Sequence, residues 1–147
     1  MKLVIQRVLE AKVEVDNTIV GQIGQGLCVL IGMNQDDQAP SIDWLAEKLV
    51  NLRVFPDREG KMNLNVQEIH GEVLVVSQFT LYADCSKGRR PGFSFALDGP
   101  QAETLYDQFV SKVKTLLGKV QTGRFGAKMA VSLVNDGPAT FILERNN

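Results

Sequence analysis

Histidine, the usual general base near neutral pH, occurs once in this chain, at His70 beside Gly71. A histidine in such a turn is ordinarily a solvated surface residue. With no second histidine and no Gly-x-Ser-x-Gly turn, a Ser-His-Asp apparatus has little to build on. The two cysteines, Cys28 and Cys85, show no Cys-x-x-Cys spacing, and no histidine-rich cluster accompanies them, so no metal site is expected. Gly21, Gly24 and Gly26 lack the order of a phosphate-binding loop and precede a strand-like run, so they read as hairpin glycines.

Three polar stretches remain. In Ser77-Gln78-Phe79-Thr80 a strongly apolar segment turns polar at its end. Alternate residues of an edge strand facing water would look the same. The chemical reading is that Gln78, Thr80 and nearby backbone N–H groups donate to a developing oxyanion. Asn135-Asp136-Gly137-Pro138-Ala139-Thr140 is either an ordinary Gly-Pro turn or a site where an X-Pro bond, which can be cis, directs backbone carbonyls. Lys87-Gly88-Arg89-Arg90 is either a solvated loop or a phosphate contact.

The elements that must position these groups are mostly strands. Ala11, Val13 and Val15 alternate with Lys12, Glu14 and Asp16, and Asp16-Asn17 is a turn signal before Thr18-Ile19-Val20. Leu27 to Ile31, between Gly26 and Gly32, reads as a strand buried on both faces. Val73 to Val76 continues into Ser77–Leu81 as one long β-branched stretch. Met129–Val134 and Phe141–Leu143 read as two strands separated by Asp136-Gly137-Pro138. Ile42, Leu45, Ala46 and Leu49 instead follow the helical period, with Ser41 as the expected N-cap. Ala102, Leu105, Tyr106, Phe109, Val113 and Leu116 form a second helical stripe that Gly118 ends. Because the first three strands have no helices between them, a doubly wound sheet is disfavoured. The expected fold is α+β and mostly β: an antiparallel or mixed, barrel-like sheet with two or more packed helices, as a single domain over residues 1–147.

Composition narrows the class further. Sixteen basic and seventeen acidic side chains give a net charge of −1, which disfavours non-specific DNA binding but permits a local basic patch. The 44% hydrophobic content is that of a globular chain. The longest apolar run falls far short of the ~20 residues a membrane span needs, and polar residues follow Met1–Ile5 too soon for a signal peptide. A soluble, cytoplasmic protein is expected, with no membrane partner and no DNA partner.

Taken together, Ser77-Gln78-Phe79-Thr80-Leu81 and Asn135-Asp136-Gly137-Pro138-Ala139-Thr140 resemble the two signature motifs of the D-aminoacyl-tRNA deacylases, long called D-tyrosyl-tRNA deacylases. Gln6-Arg7-Val8, Gly60-Lys61-Met62-Asn63 and Gln121-Thr122-Gly123-Arg124-Phe125 with Met129 are similar too, so the resemblance spans essentially the whole chain. It implies a homodimeric hydrolase, needing no cofactor, that cleaves the ester between a D-amino acid and the 3′ adenosine of tRNA. Gly137 and Pro138 would form a Gly-cis-Pro element reaching into the partner subunit's site and excluding L side chains. Glycine, with nothing to clash, would be rejected imperfectly. Asn135 and Thr140 would belong to that element. Ser77, Gln78 and Thr80 would serve the chemistry, while Phe79, Phe125 and Met129 would wall the adenosine and aminoacyl pocket. Two routes stay open: Thr80 as a covalent nucleophile, or hydrolysis assisted by the terminal 2′-hydroxyl of the RNA with Gln78 and Thr80 as oxyanion donors.

Overall fold

Asp16 and Asn17 both have positive φ, 50° and 62°. This is the mirror-image turn whose twist suits a two-residue hairpin. It folds β1 (Lys2–Val15) onto β2 (Thr18–Ile23), with Val15 opposite Thr18. A bend at Gly24-Gln25 leads into β3 (Gly26–Gly32), which pairs antiparallel with the first half of β1. These elements come from a computed structural model that describes residues 1–146.

The rest of the sheet is built through crossovers. β3 pairs in parallel with β6 (Glu72–Ser77), and β6 in parallel with β7 (Gln121–Thr122). Parallel neighbours need long connections; α1 (Ala39–Val50) lies in the first and α2 (Gly99–Leu117) in the second. A small hairpin of β4 (Phe55–Pro56) and β5 (Met62–Leu64) also sits in the first crossover. The strand order is β2-β1-β3-β6-β7, and β8 (Ala130–Glu144) lies along the other edge of β1. β7 comes back against β2: a Cβ on Gly21 would stand 2.1 Å from the Thr122 carbonyl oxygen, so only glycine lets these strands meet. The sheet is therefore a nearly closed, mixed barrel-like structure with two α-helices among the described residues. Gly21 and Gly26 lie inside strands, and of the three glycines expected in a hairpin only Gly24 sits in the bend.

Each face of β3 and β6 has its own core. Leu27, Val29, Ile31, Val73 and Val75 pack with Leu45, Leu49, Tyr106 and Phe109 of the helices. Cys28, Leu74 and Val76 face the opposite way, with Val8, Ala11 and Val13. This double covering is why Leu27–Ile31 is apolar without alternation. Burial pushes the Cys28 thiol up to about 11, whereas Cys85 is exposed.

Three boundaries differ from expectation. α1 begins three residues early, with Gln38 as N-cap and Ser41 buried within the helix, because Pro40 suits a first turn that needs no N–H partner. The β6 strand stops at Ser77 and does not run on to Leu81. Gln78 N donates to the Ile31 carbonyl at 2.7 Å, and the chain then tightens into a single 3-10 turn, Phe79–Tyr82. Gly32 permits this turn, since a Cβ there would lie 2.9 Å from the Gln78 carbonyl oxygen. Finally, the two expected C-terminal strands are one. Both halves of β8 pair with the same 14-residue β1, and the register slips only near Gly137-Pro138. The helical stripes fall where expected, with Ile42, Leu45, Ala46 and Leu49 buried in α1 and Ala102, Tyr106, Phe109 and Val113 buried in α2. Gly118, at φ 82°, closes α2 by donating to the Lys114 carbonyl at 2.8 Å.

Candidate active site

The end of β6 opens into a cavity of about 390 Å³. Such a volume is within the range of small-molecule sites. Its floor includes Ile31, Val76 and Ala102; Phe79, Phe125 and Met129 wall it; Ser77 and Gln78 supply polar groups. Asp98, at the N-terminus of α2, is the one titratable side chain among the lining residues. A larger, shallower hollow of about 600 Å³ lies between α1 and α2, but it is more open and its lining of Asp43, Asp107, Lys112 and similar groups is mostly polar. We take the smaller cavity as the site because it joins an apolar enclosure to a few polar groups.

Five residues singled out from sequence thus meet here: Ser77, Gln78, Phe79, Phe125 and Met129. Thr80 is exposed beside them, its hydroxyl accepting a hydrogen bond from the Gln78 carboxamide N–H. That geometry carries chemical information. A threonine nucleophile must pass its proton to a base, and an amide N–H cannot accept one. With its oxygen already accepting, the Thr80 O–H is left to donate outward. His70 lies elsewhere, in the turn after Val66, with φ 54° and an exposed side chain. No cluster of three or more His, Cys, Asp or Glu side chains suited to a metal exists among the described residues.

Tyr106 was not singled out beforehand, yet it builds the wall. Its hydroxyl donates to the Val75 carbonyl at 2.9 Å, and its ring packs against Phe125 with centroids 5.7 Å apart. Burial raises its pKa, so the hydroxyl stays a donor. The sequence shows Tyr106 only as one more member of a helical stripe.

The second motif lies apart from the cavity of its own chain. Gly137, Pro138, Asn135 and Thr140 are exposed on β8, and the Gly137-Pro138 bond is cis. Gln6 Nε2 donates to the Thr140 hydroxyl at 3.2 Å, and Asn135 Nδ2 donates to the Arg7 carbonyl at 3.1 Å. Arg7 anchors the segment from beneath. Its Nε donates to the Asp136 carbonyl at 3.1 Å and pairs with the Asp136 carboxylate at 3.1 Å, while Nη1 donates to the Val54 carbonyl at 2.6 Å. The one sequence signal for Arg7 is its place in the alternation Leu3, Ile5, Arg7, where an inward-facing position carries an arginine.

Arg7→Ala should destabilise the protein by about 2 kcal/mol, since it strands two carbonyls and a carboxylate, with the pair discounted for the partial exposure of Asp136. A Tm lower by about 6 °C is expected for a chain of this size, measured by circular dichroism. Arg7→Lys should not restore it, because an ammonium lacks the planar fork that reaches all three partners.

Fold and site define a class before any comparison: a small barrel-like protein whose enclosed site rests on amide, hydroxyl and backbone groups, with Asp98 its one titratable side chain. The chain matches the D-Tyr-tRNA(Tyr) deacylase family over residues 4–144. It is 58% identical over 144 residues to the D-aminoacyl-tRNA deacylase of Geobacter sp. (strain M21), covering 98% of this chain and 97% of that one. Identity to the D-aminoacyl-tRNA deacylase of Thermosipho africanus (strain TCF52B) is 55%, with the same coverage. Among solved structures, the c-Myc DNA Unwinding Element Binding Protein superposes with a TM-score of 0.94 at 39% identity, covering all of both chains. A probable eukaryotic D-amino acid tRNA deacylase shares the fold, with a TM-score of 0.83 at 20% identity over 97% of each chain. This chain belongs to the D-Tyr-tRNA(Tyr) deacylase family.

Proposed function

We propose that this protein, acting as one deacylase unit over its length, hydrolyses the ester joining a D-amino acid to the 3′ adenosine of tRNA. The observation that carries the reading is the cavity itself. In a chain of the deacylase family, it gathers Ser77, Gln78, Phe79, Phe125 and Met129 around a polar end. Phe79, Phe125 and Met129 hold the adenosine and aminoacyl group. Gln78 and Thr80, with Ser77 beside them, stabilise the oxyanion, and the terminal 2′-hydroxyl of the RNA assists the attacking water. The Gln78-to-Thr80 hydrogen bond supports Thr80 as a donor over Thr80 as a nucleophile. Gly137 and Pro138, with Asn135 and Thr140 framing them, exclude the L side chain.

The separation of Gly137-Pro138 from its own cavity supports a homodimer in which each subunit completes the other's site. β8 pairs only with β1 among the described residues, leaving a 15-residue strand edge open. Long open edges are commonly covered by another strand or chain. Leu9, Val134 and Ile142 add exposed apolar surface on these two strands. Sedimentation should show a two-fold dimer; a fully active monomer would remove the cross-subunit element.

No helix among the described residues is long and apolar enough to cross a membrane. The cytoplasm, where charged tRNA is found, is the proposed location. The net charge of −1 disfavours non-specific polyanion binding, and RNA is the proposed partner because the chain belongs to a tRNA deacylase family. The test compares D-Tyr-tRNA with the ethyl ester of D-tyrosine. Release of tyrosine from the tRNA and little from the free ester supports the reading. Binding of D-Tyr-tRNA without release makes the protein an RNA-binding module instead.

A further inference from the structure

We infer that the segment from Asp84 to Phe95, a hairpin closed by Asp84 and Gly92 and the turn that follows it, is a stacking platform for the single-stranded 3′ end of the RNA substrate. This rests on the deacylase reading and names how the same site would hold its RNA. Phe79 forms part of the cavity wall and packs on Phe93 with ring centroids 5.2 Å apart. Phe95 follows two residues after Phe93 in the chain, and all three side chains are exposed. Phe79 is 46% exposed, Phe93 41% and Phe95 61%. Three water-facing phenylalanines in and beside one short segment are unusual for a surface with no partner.

The same hairpin carries Lys87, Arg89 and Arg90, all exposed. None of the ion pairs among the described residues uses these three cations. Asp84 is the one carboxylate in the segment, accepting from Ser86 N at 2.9 Å, and it leaves the three cations in excess. An overall charge of −1 makes this concentration of positive charge local.

The platform is also held in shape. Asp84 and Gly92 exchange backbone hydrogen bonds of 2.7 and 2.9 Å at the base of the hairpin. Gln35 Nε2 donates to the Ser94 carbonyl at 3.0 Å, and Leu97 N donates to the Met33 carbonyl at 2.9 Å. Aromatic faces beside exposed cations suit unpaired bases and their phosphates, because every base has a face to stack and every linkage a charge. A double-stranded stem offers no such open faces. Continuity with the cavity therefore points to the unpaired terminal nucleotides next to the aminoacylated adenosine.

The test uses the full chain and an uncharged acceptor-stem RNA hairpin ending in single-stranded ACCA, labelled at its 5′ end and followed by fluorescence anisotropy. Phe95→Ala should weaken binding about tenfold, the loss of one stacked base. Arg89→Ala combined with Arg90→Ala should lower the slope of log affinity against log salt by about 1.4, as expected for two fewer phosphates on a single strand. A blunt hairpin should bind wild type as weakly as the variants bind the tailed one. Equal affinity of wild type for tailed and blunt hairpins, or unchanged affinity in both variants, overturns the proposal. So does tighter binding of the DNA strand of the same sequence. Dissociation of a dimer by Phe95→Ala, with RNA affinity intact, assigns this face to a second copy and also overturns it. Since no hydrolysis is read, failure of the deacylase reading shows separately, as no release from D-Tyr-tRNA by wild type. Circular dichroism melts of the variants, whose changed side chains are exposed, check that the fold persists.

Discussion

D-Tyr-tRNA is expected to lose its amino acid at least about a hundredfold faster than L-Tyr-tRNA, a difference of roughly 2.7 kcal/mol in the barrier. The proposed selection works by obstruction: an L side chain collides with backbone carbonyls at Gly137-Pro138, while a D side chain is free to point away. Exclusion of this kind needs no recognition of the side chain, so D-Phe and D-Asp should be removed as well. Gly-tRNA, having nothing to collide, should be cleaved at an intermediate rate. The geometry of the anchor supplies a second arm. A Cβ on Gly137 would lie 3.0 Å from Asn135 Oδ1, and Asn135 is tied to the Arg7 carbonyl at 3.1 Å. Gly137→Ala should therefore displace the segment by a few tenths of an ångström and cut enantiomer discrimination about tenfold. Single-turnover release from both enantiomers measures this directly. Equal rates for D and L in the wild type would sink the selection mechanism.

Replacing the 2′-hydroxyl of the terminal adenosine by hydrogen should lower hydrolysis of D-Tyr-tRNA more than any single substitution at position 80. We expect a loss of about a thousandfold or more for the deoxy substrate, against about a hundredfold or less for Thr80→Ala, the usual range for one oxyanion donor. The asymmetry follows from the proton inventory. Gln78, which donates to Thr80, is an amide and cannot take its proton; the lone histidine lies outside the cavity, and Asp98, the one carboxylate in its lining, is not hydrogen-bonded to Thr80 among the described residues. Removing Thr80 deletes a donor; removing the 2′-hydroxyl deletes the group nearest the reacting ester. Gln78→Ala should resemble Thr80→Ala, and the double variant should cost less than the product of the two, because the pair acts through one hydrogen bond. A trapped acyl ester on Thr80, identified by mass spectrometry after acid quench, would falsify the RNA-assisted route.

Local physics made several features legible in the sequence. The stripes Ile42–Leu49 and Ala102–Leu116 specify helices because a 3.6-residue period leaves one face apolar. Asp16-Asn17 specifies a hairpin turn because those residues tolerate positive φ. The unbroken apolar run Leu27–Ile31 announces a strand covered on both sides, as it is by the helices on one face and Val8, Ala11 and Val13 on the other. The two polar motifs were visible for the same reason: polar residues interrupting apolar strands stand out without any knowledge of their neighbours.

What the sequence left open depended on partners distant along the chain. Ser77 ends its strand where the parallel ladder to β3 runs out: the last ladder bond joins Gln78 N to the Ile31 carbonyl, 47 residues earlier in the chain, and the 3-10 turn that follows packs on Gly32. β8 is one strand because β1 is long enough to pair with both its halves, which no local pattern around Gly137 and Pro138 encodes. Phe125 reaches the cavity on the strength of Tyr106, and the Asn135–Thr140 segment rests on Arg7, which a strand on the far side of the sequence delivers to it. Periodicity determines which face of an element is buried; only the closed sheet decides which buried faces and which exposed ends come together.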